Sequence, residues 1–219
     1  MIIINIGLAK TMTTELIKFI DNYTDIIVLN KYEIKFNEAL NIDYLNLDKT
    51  KIYYYKNPLF IFNPKLEILI KKIEENNHKV ILIFGVRNII DNIYSLYDHW
   101  VNWDNGSMLK RFNCKDVLDI YNNVLSTFYK DIEKHLDFLK KHNTIIYNIN
   151  NCKGTIYDFL KKMFDLMEIE VKIDDGLPNI NINITKKVDN TNLKEKIKEY
   201  NLIKSEFDKH FKNIDMIKL

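Results

Sequence analysis

The chain opens Met1-Ile2-Ile3-Ile4-Asn5-Ile6-Gly7-Leu8-Ala9-Lys10-Thr11-Met12-Thr13-Thr14, and the reading of this stretch decides the fold. Its short apolar run, 2–6, suits a strand covered on both faces. The run passes straight into a turn with one lysine and three threonines, and a helix is predicted to begin near Thr13 or Thr14. Backbone N–H groups and the positive end of a helix dipole then converge on one spot, which is how proteins hold phosphate-like anions. The lysine precedes the threonines, so the loop lacks the G-x-x-x-x-G-K-[ST] spacing of a nucleotide triphosphatase. The expected anion is therefore not the γ-phosphate of ATP.

Working outward, strand-like runs alternate with helical ones. Further strands are predicted at 26–29, 51–55, 59–62 (an edge strand set off by Pro58), 79–84 and 144–147. Helices are expected at about 14–22, 64–76, 89–103, 115–141 and 155–167, with a last one at 192–211 after a polar, asparagine-rich stretch. The longest carries Val117, Tyr121, Val124, Phe128, Ile132, His135 and Leu139 on one stripe at three- and four-residue steps. Such alternation with right-handed crossovers predicts an α/β fold: a three-layer sandwich with a central, mostly parallel sheet and helices on both faces. No repeat or linker divides the chain, so residues 1–219 are read as one domain.

Composition narrows the function classes. The sequence is 47% hydrophobic and 28% charged with a net charge of +2, which argues against a broad nucleic-acid-binding face and for a local anion site. Cys114 and Cys152 have no paired spacing and read as reduced, buried residues. The opening run has no basic flank and is shorter than a secretory signal core. Nothing approaches the ~20 apolar residues of a membrane span. Sequons at Asn22, Asn105 and Asn183 match the frequency of asparagine here, and a cytoplasmic location with no membrane partner is expected.

In open α/β sheets, ligands sit outside the carboxyl ends of the strands. A second strand end carries polar residues: Gly85-Val86-Arg87-Asn88 after the 79–84 run, followed by Ile89-Ile90-Asp91-Asn92-Ile93-Tyr94-Ser95-Leu96-Tyr97-Asp98-His99-Trp100. The planar fork of Arg87 and the hydroxyl of Ser95 can close on one anion from two sides. The plain alternative is an arginine capping a strand and a serine on a helix surface.

Together the two segments resemble the sulfotransferases that use 3′-phosphoadenosine 5′-phosphosulfate (PAPS). That family's first loop reads G-x-P-K-[ST]-G-T-T, and Gly7 to Thr14 stand in its place. Its second motif reads R-N-P-x-D-R-x-x-S-x-Y, matched by Arg87, Asn88, Asp91, Ser95 and Tyr97. Tyr55-Lys56-Asn57-Pro58 is similar to the K-[ST]-P element of glycan-type members. The likeness extends over nearly the whole chain but is dense only in the two loops. Four positions depart from it: Ala9 and Ile89 replace prolines, Met12 a glycine and Asn92 an arginine. If residue 12 needs φ > 0, methionine demands a reshaped loop, and the neutral Asn92 weakens the grip on the donor's second phosphate.

The resemblance implies transfer of a sulfuryl group from PAPS to a hydroxyl or amine of a carbohydrate or small-molecule acceptor, leaving adenosine 3′,5′-bisphosphate (PAP). It implies that Lys10 is the cation at the oxygen bridging to the leaving phosphate. Thr11, Met12, Thr13 and Thr14 would line the 5′-phosphate, and Arg87 with Ser95 the 3′-phosphate. The general base is Glu33 or His99; each reads equally as a solvated carboxylate or a packed helix residue. Lys56 reads equally as a donor contact or a snorkelling lysine. Lys186 and Lys187 read more simply as a solvated pair than as cations for the 3′-phosphate. Trp100 and Trp103 read as core residues or as faces for a sugar or adenine, with no assignment made. No metal is expected, because the sulfuryl group carries less charge than a phosphoryl group. A P-loop kinase-like enzyme and a catalytically silent nucleotide-binding protein are the alternatives.

Overall fold

A computed structural model describes residues 1–8, 13–29, 36–56, 65–102, 106–152, 155–172 and 191–219. Six strands form one sheet in the order β2-β3-β1-β4-β5-β6. These are β1 Ile2–Asn5, β2 Ile27–Val28, β3 Tyr53–Lys56, β4 Val80–Val86, β5 Thr144–Asn148 and β6 Met216–Lys218. All neighbours are parallel except β6, which runs antiparallel to β5 and pairs Met216 with Tyr147. Every residue of β1, β4 and β5 is buried. That is why these strands are mostly apolar, with polar residues only at their ends, and each buried Ile or Leu contributes about 1.5–3 kcal/mol of transfer energy.

Helices cover both faces. One face carries α1 (Thr13–Tyr23) and α9 (Ile156–Met167), packed through Leu16, Phe19, Ile20, Leu160 and Phe164 against Ile3, Tyr54 and Ile83. Phe19 stacks on Phe164 at 5.5 Å. The other face carries α3 (Leu66–Glu75), α4 (Ile89–Asn102), α8 (Ile132–Lys140) and α11 (Tyr200–Phe211), whose apolar stripes meet Ile2, Ile4, Leu82 and Phe84. The short helices α2 (Phe36–Leu40), α5 (Ser107–Arg111), α6 (Val117–Ile120), α7 (Ser126–Lys130) and α10 (Thr191–Lys196) complete the chain order. The step from β1 to β2 uses α1 on the first face, and the opposite steps from β3 to β4 and from β4 to β5 use helices on the second. Right-handed crossovers require that division.

Two predicted helices are divided, and one strand of the sheet was not predicted. The single helix expected at 115–141 is α6, a π turn over Tyr121–Leu125, α7 and then α8, with a break at Asp131 (φ −105°, ψ 26°). Asp116 starts it by accepting from the N–H groups of Leu118 and Asp119. Its apolar stripe survives, because the π turn and the break only re-phase a continuous face that buries Tyr121, Phe128, Ile132 and Leu139. The helix expected at 192–211 is α10 and α11, interrupted so that both Leu193 with Ile197 and Ile203 with Phe207 reach the core. The edge strand β6 has no counterpart in the predicted elements; three residues are too few for a periodic signal. The strand expected at 59–62 lies outside the described residues.

Among the described residues no helix is long and apolar enough to cross a membrane. Cys114 and Cys152 are both free and buried, and burial pushes the Cys152 thiol up to about 12.

Candidate functional site

The strands β1 and β4 lie side by side, and the chain leaves them for helices on opposite faces, α1 from β1 and α4 from β4. A sheet splits into a crevice at such a switch point. The two strand tips are in contact there. Ile6 N–H donates to Ile83 O and Leu8 N–H to Gly85 O, both at 2.9 Å. Gly7 sits on Gly85 so closely that a Cβ would lie 2.3 Å from Gly85 N. Gly7 is therefore a glycine of close approach rather than of unusual φ. The fully buried Asn5 braces the same tip: its Oδ1 accepts the Gly7 N–H at 3.3 Å and its Nδ2 donates to Tyr54 Oη at 3.2 Å.

The carboxyl edge thus carries, in spatial order, Lys56 at the end of β3, the root of the Lys10 loop after β1, Arg87 after β4 and an asparagine run after β5. Lys56 is half-buried and level with Asn5 in the sheet register. Lys10, Thr11 and Met12, together with Glu33, Trp103, Lys186 and Lys187, lie outside the described residues. Thr13 and Thr14 form the first turn of α1, as the sequence predicts.

Arg87 is only 7% exposed, and burial lowers its pKa against the opposing pull of the Asp91 carboxylate. Tyr129 Oη donates to the Arg87 carbonyl at 3.0 Å, tying the β4 tip to α7. Asn88 caps α4: its Oδ1 accepts the Asp91 N–H at 2.8 Å, and the Asp91 carboxylate accepts from Asn88 Nδ2 in return. Asn150 locks the pair from the β5 side, its Oδ1 accepting the Asn88 N–H and its Nδ2 donating to Asp91, each at 2.8 Å. The motif residues Asn88 and Asp91 are thus structural, and the first turn of α4 already holds a carboxylate of its own.

Asp91, Ser95 and His99 follow one another at four-residue steps along the half-exposed flank of α4, while Ile89, Asn92, Ile93 and Leu96 face inward. Ser95 lies about 9 Å and His99 about 15 Å along the helix axis from its first residue. The Ser95 position is thus beside the second turn of α4, and His99 is one turn further out. Asn92 is completely buried and does not line the crevice.

Beside the first turn of α4, a cleft of about 290 Å³ opens between the β5 tip and α10–α11, lined by Asn88, Asp91, Asn150, Lys194, Lys204 and Lys212 among others. Lys204 pairs with Asp208. Lys194 and Lys212 make no ion pair among the described residues. Its floor is polar and rigid: Asn148 Nδ2 donates to Phe211 O at 3.0 Å, and Asn151 Nδ2 donates to Lys212 O at 2.7 Å. Asn150, Lys194 and Lys212 are not among the residues that the two strand-end motifs single out. The asparagine run Asn148-Ile149-Asn150-Asn151 follows a strand end just as Lys10 and Arg87 do, and the same strand-tip rule points to it. No family model matches the chain.

Proposed function

We propose that the chain is a sulfotransferase that uses PAPS, with the P-loop-like fold of that class, and acts on a hydroxyl or amine of a carbohydrate or small-molecule acceptor. The observation that carries this reading is the contact of Gly7 with Gly85 at the switch point, which sets the two motif-bearing strand tips side by side. Two loops so joined suit a donor with two separated anionic groups. Lys10 and the first turn of α1 serve the 5′-phosphosulfate end, and Arg87 with Ser95 serves the 3′-phosphate. Lys194 and Lys212 add positive charge to the cleft on the far side of α4. PAPS supplies the activated sulfuryl group. The acceptor oxygen or nitrogen bonds to sulfur as the sulfur–phosphate oxygen bond breaks, and Glu33 or His99 takes the acceptor proton. Lys10 meets the charge that grows on the leaving phosphate.

Calorimetric titration tests the reading. PAP binds without magnesium, ATP does not, and Lys10→Ala abolishes transfer to an acceptor panel while leaving the melting curve in place. A preference for ATP with magnesium sinks the proposal in favour of a kinase-like enzyme. A second reading, a catalytically silent nucleotide-binding protein, is favoured by the burial of the neutral Asn92, which leaves position 92 no charge to offer the donor. PAP binding with no transfer to any acceptor selects it.

A further inference from the structure

The helices α8 and α11 bring together Glu133, Glu206 and His210. Glu206 and His210 stand four residues apart on one face of α11, and Glu133 lies in the first turn of α8. His210 Nε2 lies 3.7 Å from Glu133 Oε1 and 3.9 Å from Glu206 Oε2. The same nitrogen is shielded from solvent and makes no hydrogen bond among the described residues. A shielded ring nitrogen without a hydrogen-bond partner calls for an explanation, and two carboxylates already face it. We propose that Glu133, Glu206 and His210 form a binding site for a divalent transition-metal ion of the zinc type, bridging α8 and α11.

The donor set has the right chemistry. One neutral imidazole and two carboxylates neutralise a dication, and the imidazole favours zinc-like ions over magnesium or calcium. The three ligand atoms all lie within 4.8 Å of one another. Tetrahedral bonds of about 2.0–2.2 Å place ligands about 3.3–3.6 Å apart, so carboxylate rotation is enough to close the site. Glu133 is 64% exposed and gives an ion its way in, while the His210 ring is held at 20% exposure. The Lys209 ammonium now occupies the cation's place, 2.7 Å from Glu133 and 3.5 Å from Glu206. Both of its contacts are solvent-exposed and weak, so a dication displaces it.

Thermal unfolding of the full chain, first in EDTA and then in rising Zn²⁺, tests the site. With Zn²⁺ about 100-fold above its dissociation constant, the melting temperature rises by about 5–10 °C. His210→Gln and Glu133→Gln lose that rise while keeping cooperative melting in EDTA. Lys209→Met, freed of the competing ammonium, shows the rise at lower Zn²⁺ than the parent. Co²⁺ gives a visible absorption band that His210→Gln removes. A Zn²⁺ response unchanged in His210→Gln and Glu133→Gln, or no response in the parent, overturns the proposal whether or not the chain transfers sulfuryl groups.

Discussion

The two strand tips that meet at the switch point are held by different physics. At the β1 tip the constraint is steric: Gly7 lies on the Gly85 backbone with no room for a Cβ, and one buried asparagine braces it from below. At the β4 tip the constraint is polar, a closed set of hydrogen bonds among Asn88, Asp91 and Asn150. A tip fixed by shape commits few polar groups to its own support. At the capped tip the Asn88 and Asp91 N–H groups are already bonded to side chains, so under the proposed function the donor's anion there falls to side chains such as Arg87 and Ser95.

Breaking the steric tip has the largest expected effect. Gly7→Ala drives a methyl into backbone that cannot rotate away and costs about 3 kcal/mol or more. Urea denaturation measures it, and a loss near zero means that the strands β1 and β4 part more easily than their contact implies. The polar tip is cheaper to break. Asn150→Ala removes one bond to the Asn88 N–H and one to Asp91, at about 1–2 kcal/mol. If the α4 cap is what aims Arg87, Asn150→Ala also weakens PAP binding; unchanged affinity separates the cap from the site.

The smallest effects sharpen the comparison, because each tip leans on a buried phenol. Tyr54 accepts from Asn5 at the first tip, and Tyr129 donates to Arg87 O at the second. Burial raises both phenols above their ordinary value near 10. The unfolded chain therefore loses these protons first as pH rises, so the stability they contribute is whole below pH ~10 and declines above it. Tyr129→Phe and Tyr54→Phe each cost about 1 kcal/mol at neutral pH and flatten the alkaline decline. Denaturation curves collected from neutral to strongly alkaline pH read both effects, and an unaltered alkaline slope in both variants shows that neither phenol governs it.

Much of the fold was legible because it is local. Apolar runs too short for helices marked β1, β4 and β5, and the helical stretches expected between and after them appear as α3, α4 and α9. The helix breaks near Asp131 and Ile197 were not legible, since neither carries a glycine or proline, and each exists to turn one apolar stripe toward a core built by distant strands. At the site, Arg87 and the start of α1 were legible from strand-then-helix order. The strand-tip rule reaches the position of Asn150 but not what it holds, because its partners Asn88 and Asp91 lie 62 and 59 positions away.

By itself the sequence determined the alternation of strands and helices, the burial of the central strands on both faces and the placement of polar residues at strand ends. Periodicity, composition and capping residues act within a few positions of themselves, so a single chain displays them directly. Only the tertiary structure decided that Gly7 meets Gly85, that β6 closes the sheet edge antiparallel, that an asparagine amide locks α4, and that Glu133 faces His210. Those pairings depend on which faces pack together, and that choice is made by the burial of the whole sheet rather than by any stretch of it.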